Sequence, residues 1–233
     1  FISWILNRKM VKRMASRPGA VFIDSNILFY AACFQKENIF GWITALYEKV
    51  YIHQEVLNEL LDGKARNLVQ ELLDSGIWVL FDPENEDCLS DEEYEIYLQY
   101  LDDVQQGFRN LDHKKRSMGR RIKGTKDIGE MHIIAAAMMT SSNLICSNDY
   151  DIAEVISDEE FKISFGGDEE QKSELIIQDT LEDFCYYVVL NGIAIRKNSR
   201  NFFKIACHTD TEIRKKAKLE GLDRRLDDIP NRD

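Results

Sequence analysis

Proline is scarce, three in 233 residues, and the chain holds no internal repeat and no low-complexity tract, so a flexible string of modules is excluded. Histidine and cysteine are few and scattered. The five cysteines (Cys33, Cys88, Cys146, Cys185, Cys207) are odd in number and form no CxxC pair, and the four histidines are dispersed as well. A zinc site built from His and Cys is therefore not expected, and reduced thiols in a cytoplasmic protein are the simplest reading. No apolar run approaches the roughly 20 residues that cross a bilayer. The opening FISWIL is too short for a signal-peptide core, and the basic RKMVKRM lies on the wrong side of it. Because the chain opens on Phe1, residues 1 to 13 read as a leader, an expression remnant, or a short helix before a start at Met14. Positive charge is also in deficit, 30 Lys and Arg against 41 Asp and Glu, for a net charge of −11. That balance opposes indiscriminate nucleic-acid binding, so any such binding has to come from a local basic patch. What is present in quantity is apolar material, 44% with 10% aromatic, enough for a substantial core.

Short apolar runs alternate with helical patterns along the chain. After Pro18-Gly19, Ala20 to Ile23 reads as a buried strand that ends on Asp24-Ser25-Asn26, with Ser25 or Asn26 as the cap of the helix that follows. A helix over Asn38 to Lys49, a strand at Val50 to Ile52, a helix over Gln54 to Leu61, another over Ala65 to Leu73 and a strand at Ile77 to Phe81 come next. This βα alternation predicts an α/β three-layer sandwich with a central, mainly parallel sheet flanked by helices. Residues 82–95 then carry eight acids and no base, Tyr94 to Phe108 forms an amphipathic helical pattern, and residues 113–126 carry seven Lys or Arg and no acid. We read residues 82–125 as a charged helical insertion, residues 1–19 as an extension, residues 20–194 as the main domain, and residues 195–233 as a polar, basic helical appendage.

The stretch from Lys126 to Asp151 organises the rest. A helix rich in apolar residues begins beside Asp127 and Glu130, Thr140 to Asn143 breaks it, and the buried strand Leu144-Ile145-Cys146 runs abruptly into Ser147, Asn148, Asp149 and Asp151. In open α/β sheets the carboxyl ends of strands and the amino ends of helices share one edge, where ligands bind. Four acids fall at equivalent places on that edge: Asp24, Glu59, Glu130 and Asp149. Crowded carboxylates repel one another unless a cation neutralises them, and an all-oxygen set suits Mg²⁺ or Mn²⁺. Such a metal supports phosphoryl chemistry. Other roles are open to some of these residues: Asp127 and Glu130 also form a capping-box pattern, Asp149 and Asp151 are also turn formers, and the basic run also reads as a solvated loop.

In this order VFIDSNIL, the EVLNELL helix with Glu59, DIGEMHIIAAA and LICSNDYDI resemble the four motifs of the PIN-domain nucleases, over about residues 20 to 185. The resemblance implies metal-dependent cleavage of RNA phosphodiesters to a 5′-phosphate and a 3′-hydroxyl. It implies Asp24, Glu130 and Asp149 as metal ligands, Glu59 as the fourth member of the acidic set, and Asp151 as a supporting acid or alternate ligand. Asn26 and Ser147 would orient ligands or waters, and Arg120, Arg121 and Lys123 of the basic run would contact phosphate. A toxin or defence role, an antitoxin partner and a homodimer belong to the same expectation. Two further readings are a haloacid-dehalogenase-like phosphatase with Asp24 as nucleophile, weakened by Asn26 where a second aspartate is usual, and an inactive fold that binds nucleic acid or protein.

Overall fold

The computed structural model describes residues 17–61, 63–122, 128–165, 172–208 and 210–229. The Met14 start, Lys123 and Asp127 lie outside the described residues. In chain order the elements are β1 (Arg17–Ile23), α1 (Ser25–Cys33), α2 (Ile39–Leu46), β2 (Tyr47–His53), α3 (Gln54–Glu59), α4 (Lys64–Asp74), β3 (Val79–Phe81), α5 (Asp91–Ser117), α6 (Ile128–Met139), β4 (Leu144–Cys146) and α7 (Tyr150–Glu159). They continue with β5 (Lys162–Phe165), β6 (Lys172–Leu175), β7 (Ile177–Asp179), α8 (Leu181–Leu190), α9 (Arg196–Ala206) and α10 (Glu212–Asp227). Five strands form one parallel sheet in the order β3-β2-β1-β4-β7, and β5 and β6 form a separate antiparallel hairpin. Helices flank the sheet on both sides, so the chain is a three-layer α/β sandwich.

The strand order turns at β1. The chain runs outward from β1 to β2 and β3, then returns to place β4 on the other flank of β1 and β7 beyond it. The register pairs Ile23 with Cys146, so the carboxyl ends of β1 and β4 finish side by side. This is the switch point at which a parallel sheet opens a crevice. Val21, Phe22 and Ile23, like Leu144, Ile145 and Cys146, are covered on both faces, which is why these strands are continuous apolar runs rather than alternating ones.

Several boundaries differ from those expected. The second strand begins at Tyr47, not Val50, because Tyr47 and Val50 are both buried and the helix before it ends at Leu46. The insertion is dominated by one 27-residue helix, α5, and its segregated charge has a simple cause. Asp91, Glu92 and Glu93 occupy the first turn, and Lys114, Lys115 and Arg116 the last, each sign where the helix dipole favours it. Ser90 and Glu93 close a capping box at the start.

The C-terminal residues, expected as an appendage, add to the same hydrophobic cluster as the sheet. In α9 Ser199, Phe202, Phe203 and Ala206 are buried at i, i+3, i+4 and i+7, and in α10 Leu219, Leu222 and Leu226 are buried. Phe202 sits among Phe34, Trp42 and Phe184 with ring centroids 5.6, 6.2 and 6.1 Å away. Phe202 and Phe203 are thereby packing residues. Among the described residues, no helix is long and apolar enough to cross a membrane.

A buried ion pair ties the first strand to the last. Arg17 Nε donates to Asp179 Oδ2 at 3.0 Å, its Nη2 pairs with Oδ1, and Tyr47 Oη donates to Oδ2 at 3.0 Å. Burial pushes the Asp179 carboxyl above its ordinary pKa, and the bonds from Arg17 only partly offset that. Removing one partner of such a pair strands the other charge. Arg17→Met is therefore expected to cost about 3–5 kcal/mol of unfolding free energy at neutral pH, while the double change Arg17→Met with Asp179→Asn recovers most of it. Chemical denaturation of the three proteins checks this; equal losses in the single and double variants would refute it.

Candidate functional site

Asp24 follows the last residue of β1 and is the N-cap of α1, with extended backbone and a side chain that accepts the Ser25 N–H at 2.7 Å. The cap is thus Asp24 itself rather than Ser25 or Asn26, because its carboxylate reaches the first open amide of the helix. Its own N–H donates to the Cys146 carbonyl at 3.0 Å, which pins it against the end of β4. Its second oxygen takes hydrogen bonds from Ser147 Oγ at 2.7 Å and from the Asn26 amide. Asn26 in turn accepts the Asn148 N–H at 3.3 Å, Ser147 Oγ accepts the Asp149 N–H at 3.1 Å, and Asp149 caps α7 by accepting the Asp151 N–H at 2.9 Å. Asp24, Asn26, Ser147 and Asp149 are therefore one hydrogen-bonded unit spanning the two strand ends.

Glu59 comes to this unit from α3. Its Oε1 accepts the Gly129 N–H in the first turn of α6 at 3.1 Å, where the helix dipole favours an anion. Its charge also acts on Asp24. Glu55, one turn earlier on the same helix, donates its backbone N–H to His53 Nδ1 at 3.0 Å, and its carboxylate accepts from the Asn58 amide at 3.5 Å. Glu130 is the next residue after Gly129 and is buried.

Gly129 is a position beside these acids that sequence reasoning did not single out. A Cβ there would lie 2.5 Å from Glu59 Oε1 and 3.0 Å from its Cδ, so any side chain would displace the carboxylate. The available signal was a glycine in the first turn of an otherwise apolar helix, a residue that costs helix stability and so asks for a packing reason.

A second set missed in the sequence holds α3 in place. His53, 1% exposed, caps α3 through Nδ1, which puts its ring proton on Nε2. That N–H faces Tyr97 Oη at 3.0 Å, so Tyr97 is left to donate to His132 Nδ1 at 2.7 Å. Burial lowers the pKa of His53 to about 3 and that of His132 as well, which keeps both rings neutral around the shared hydroxyl.

The basic run is engaged internally. Arg120 forks onto both oxygens of Glu154 at 2.7 Å each, Lys114 bridges Glu154 and Asp158 at 3.1 and 2.5 Å, and the buried Lys115 pairs with Asp151. These contacts tie the end of α5 to α7. The Arg120 side chain has to leave Glu154 before it can take phosphate, and Asp151 belongs to the Lys115 clamp rather than to the Asp24 unit. Arg121 is exposed.

Asp24 carries the electrostatic signature of the site. It is 3% exposed, and desolvation, with a further push from Glu59, raises its pKa from 3.8 to about 6 although the Ser147 and Ser25 hydrogen bonds pull it down. No family model matches the chain, and no curated protein matches it. The acids of the site offer only oxygen donors, the set suited to Mg²⁺ or Mn²⁺. Among the described residues, no three His, Cys, Asp or Glu side chains stand close enough together to hold a metal ion. A magnesium site requires fewer, because the ion keeps several waters and takes one or two carboxylates beside substrate phosphates. Asp24, desolvated and repelled by Glu59, fits that sparser role.

The sign of the pH effect follows from the raised pKa. The Asp24 contribution to stability is full below pH 3.8, declines as pH rises, and becomes a constant penalty above about 6. At roughly 1.4 kcal/mol per pH unit the penalty is limited to about 3 kcal/mol. Asp24→Asn removes it but sets an amide against one of the donors now satisfied, at a cost of about 1 kcal/mol. The variant is expected to melt about 4–8 °C higher than the native protein at pH 7.5 without divalent ions, and no higher at pH 4. Glu59→Gln is expected to lower the Asp24 pKa, read by carboxyl NMR titration. An unchanged Asp24 titration would sink the coupling.

Proposed function

We propose that this protein is a metal-dependent ribonuclease of the PIN-domain kind, acting on RNA phosphodiester bonds at the Asp24–Asp149 rim. The observation that carries this reading is a buried carboxylate, raised in pKa by burial and by Glu59, hydrogen-bonded through Ser147 to the loop of a second acid at the switch point of a parallel sheet. A divalent cation there would relieve the repulsion. Asp24 and Asp149 are the residues that would hold it, with Glu59 and Glu130 adding negative charge from α3 and α6. Bound Mg²⁺ or Mn²⁺ supplies an activated water and offsets charge on the departing oxygen.

The chain's own residues do the positioning. Ser147 and Asn26 hold the Asp24 carboxylate in one orientation, and the Asp149 cap fixes the loop opposite it. Gly129 lets Glu59 reach the amino end of α6. Ligands held this rigidly need little reorganisation when a reaction begins.

The phosphatase reading asks Asp24 to attack phosphorus. Both of its oxygens accept hydrogen bonds and the side chain is buried, which opposes in-line attack. The setting we favour for the nuclease, a toxin or defence system with a protein antitoxin and a homodimeric form, rests on the family resemblance. The antitoxin would approach basic segments of this acidic chain.

Incubation of the purified protein with labelled RNA in Mg²⁺, Mn²⁺ or EDTA tests the proposal. Cleavage is expected only with metal, and Asp24→Asn and Asp149→Asn are each expected to reduce it more than about 100-fold. Gly129→Ala is expected to lose activity while melting within a few degrees of the native protein, because the helix-propensity gain of about 1 kcal/mol offsets the lost Glu59 contact. Phosphate release from a small phosphate ester would favour the phosphatase instead. RNA binding with no turnover in any metal would favour the inactive module.

A further inference from the structure

Beside the acidic rim lies an open cleft of about 340 Å³, lined by Asn26, Tyr30, Asn148, Asp149, Tyr150 and Asp151. Its size falls in the range of small-ligand sites, roughly 300–1,000 Å³. Two aromatic rings line it, Tyr30 from α1 and Tyr150 from the first turn of α7, and Tyr150 is 60% exposed, a large ring that the fold leaves uncovered. The helices reach the cleft from opposite ends of the Asp24–Ser147 hydrogen-bonded unit, so an object seated on the rings sits next to the acids. Burial raises both phenol pKa values and the Lys218 ammonium pulls both down, which sets that charge from α10 within electrostatic reach of both rings. Lys218 is held by Asp210 at 2.7 Å. It belongs to a segment, residues 196–225, with ten Lys or Arg against four acids in a chain of net charge −11.

Acids at the rim, two tyrosines beside them and a cation from a basic segment make a gradient along one face. Nucleobases stack on tyrosine whatever their identity, and a lysine beside the rings meets the backbone phosphate. A duplex hides its base faces and offers nothing to such rings. The Asn148 side-chain amide adds a donor and an acceptor at the base edge.

We propose that this cleft is a binding subsite for single-stranded nucleic acid, in which an unstacked base lies on Tyr150 and Tyr30 and the adjoining phosphate meets Lys218 of the C-terminal helices. The inference rests on the nuclease reading for its ligand class. It makes the C-terminal pair α9 and α10 part of the substrate surface through Lys218, which has to leave Asp210 to take phosphate, as Arg120 has to leave Glu154.

Fluorescence anisotropy of a labelled single-stranded RNA decamer with the full chain in EDTA separates binding from cleavage. Tyr150→Ala is expected to weaken binding about 5- to 100-fold, Tyr150→Phe to retain it, and Lys218→Ala to weaken it and reduce the salt slope by about one. A duplex of the same sequence is expected to bind more weakly and to ignore Tyr150→Ala. Because Tyr150 is exposed, the variants fold, and unchanged melting verifies this. Binding to Tyr150→Ala equal to the native protein, or equal loss with duplex and single strand, overturns the subsite. If metal-dependent cleavage is absent while these binding differences hold, the nuclease reading fails and the subsite stands. If cleavage occurs and the Tyr150 and Lys218 variants bind and cleave like the native protein, the subsite fails and the nuclease reading stands.

Discussion

A single carboxylate taken out of water governs this structure's functional edge. Asp24 ends β1, begins α1, takes its backbone partner from β4 and binds Ser147 and Asn26 through its side chain. Each contact satisfies a lone pair or an amide that would otherwise be buried unpaired. Hydrogen bonds do not cancel the charge, however, and with Glu59 acting on it the group remains a net cost to the fold at neutral pH. A fold that keeps such a cost keeps it where something else is gained, and the gain we propose is cation binding.

The parts of this edge that were legible in the sequence are those encoded locally. Continuous apolar runs at Val21–Ile23 and Leu144–Cys146 are what strands buried on both faces require, and polar residues just after them mark the carboxyl edge. Asp24, Asn26, Ser147 and Asp149 could be named because each lies within three residues of a strand end. Gly129 could not be paired with Glu59, since 70 residues separate them and only the packing of α3 on α6 brings them into contact. The His53–Tyr97–His132 chain was hidden for the same reason, its members coming from β2, α5 and α6.

Charge was the less reliable guide. A run of acids followed by a run of bases also admits a solvated loop or phosphate contacts, yet Asp91 to Glu93 and Lys114 to Arg116 stand at the two ends of one long helix, and Lys114, Lys115 and Arg120 attach it to α7. The acidic end complements the amino terminus of α5; the basic end complements its carboxyl terminus and then Asp151, Glu154 and Asp158. Sequence shows the sign of a charge but not its partner. Exposed members of that clamp contribute little individually, whereas the buried Lys115–Asp151 pair fixes where α7 begins and hence where its cap, Asp149, sits.

The C-terminal helices bear on the same edge from the other direction. Helix α1 starts at Asp24 and ends at Phe34, whose ring packs on Phe202 of α9. One end of this helix is therefore held by the hydrogen bonds of the acidic rim and the other by the aromatic cluster of the tail. A nine-residue helix gains little from its own backbone and depends on tertiary contacts for its stability. Looser packing at Phe202 would free the far end of α1 and pass to Asp24 as a shift in angle, although the hydrogen bonds of the carboxylate come from Ser25, Asn26 and Ser147 and not from the tail. The polar surface of α9 and α10 hides this dependence in the sequence, because the residues that matter to α1 are the few buried ones at i, i+3, i+4 and i+7, diluted among lysines and arginines.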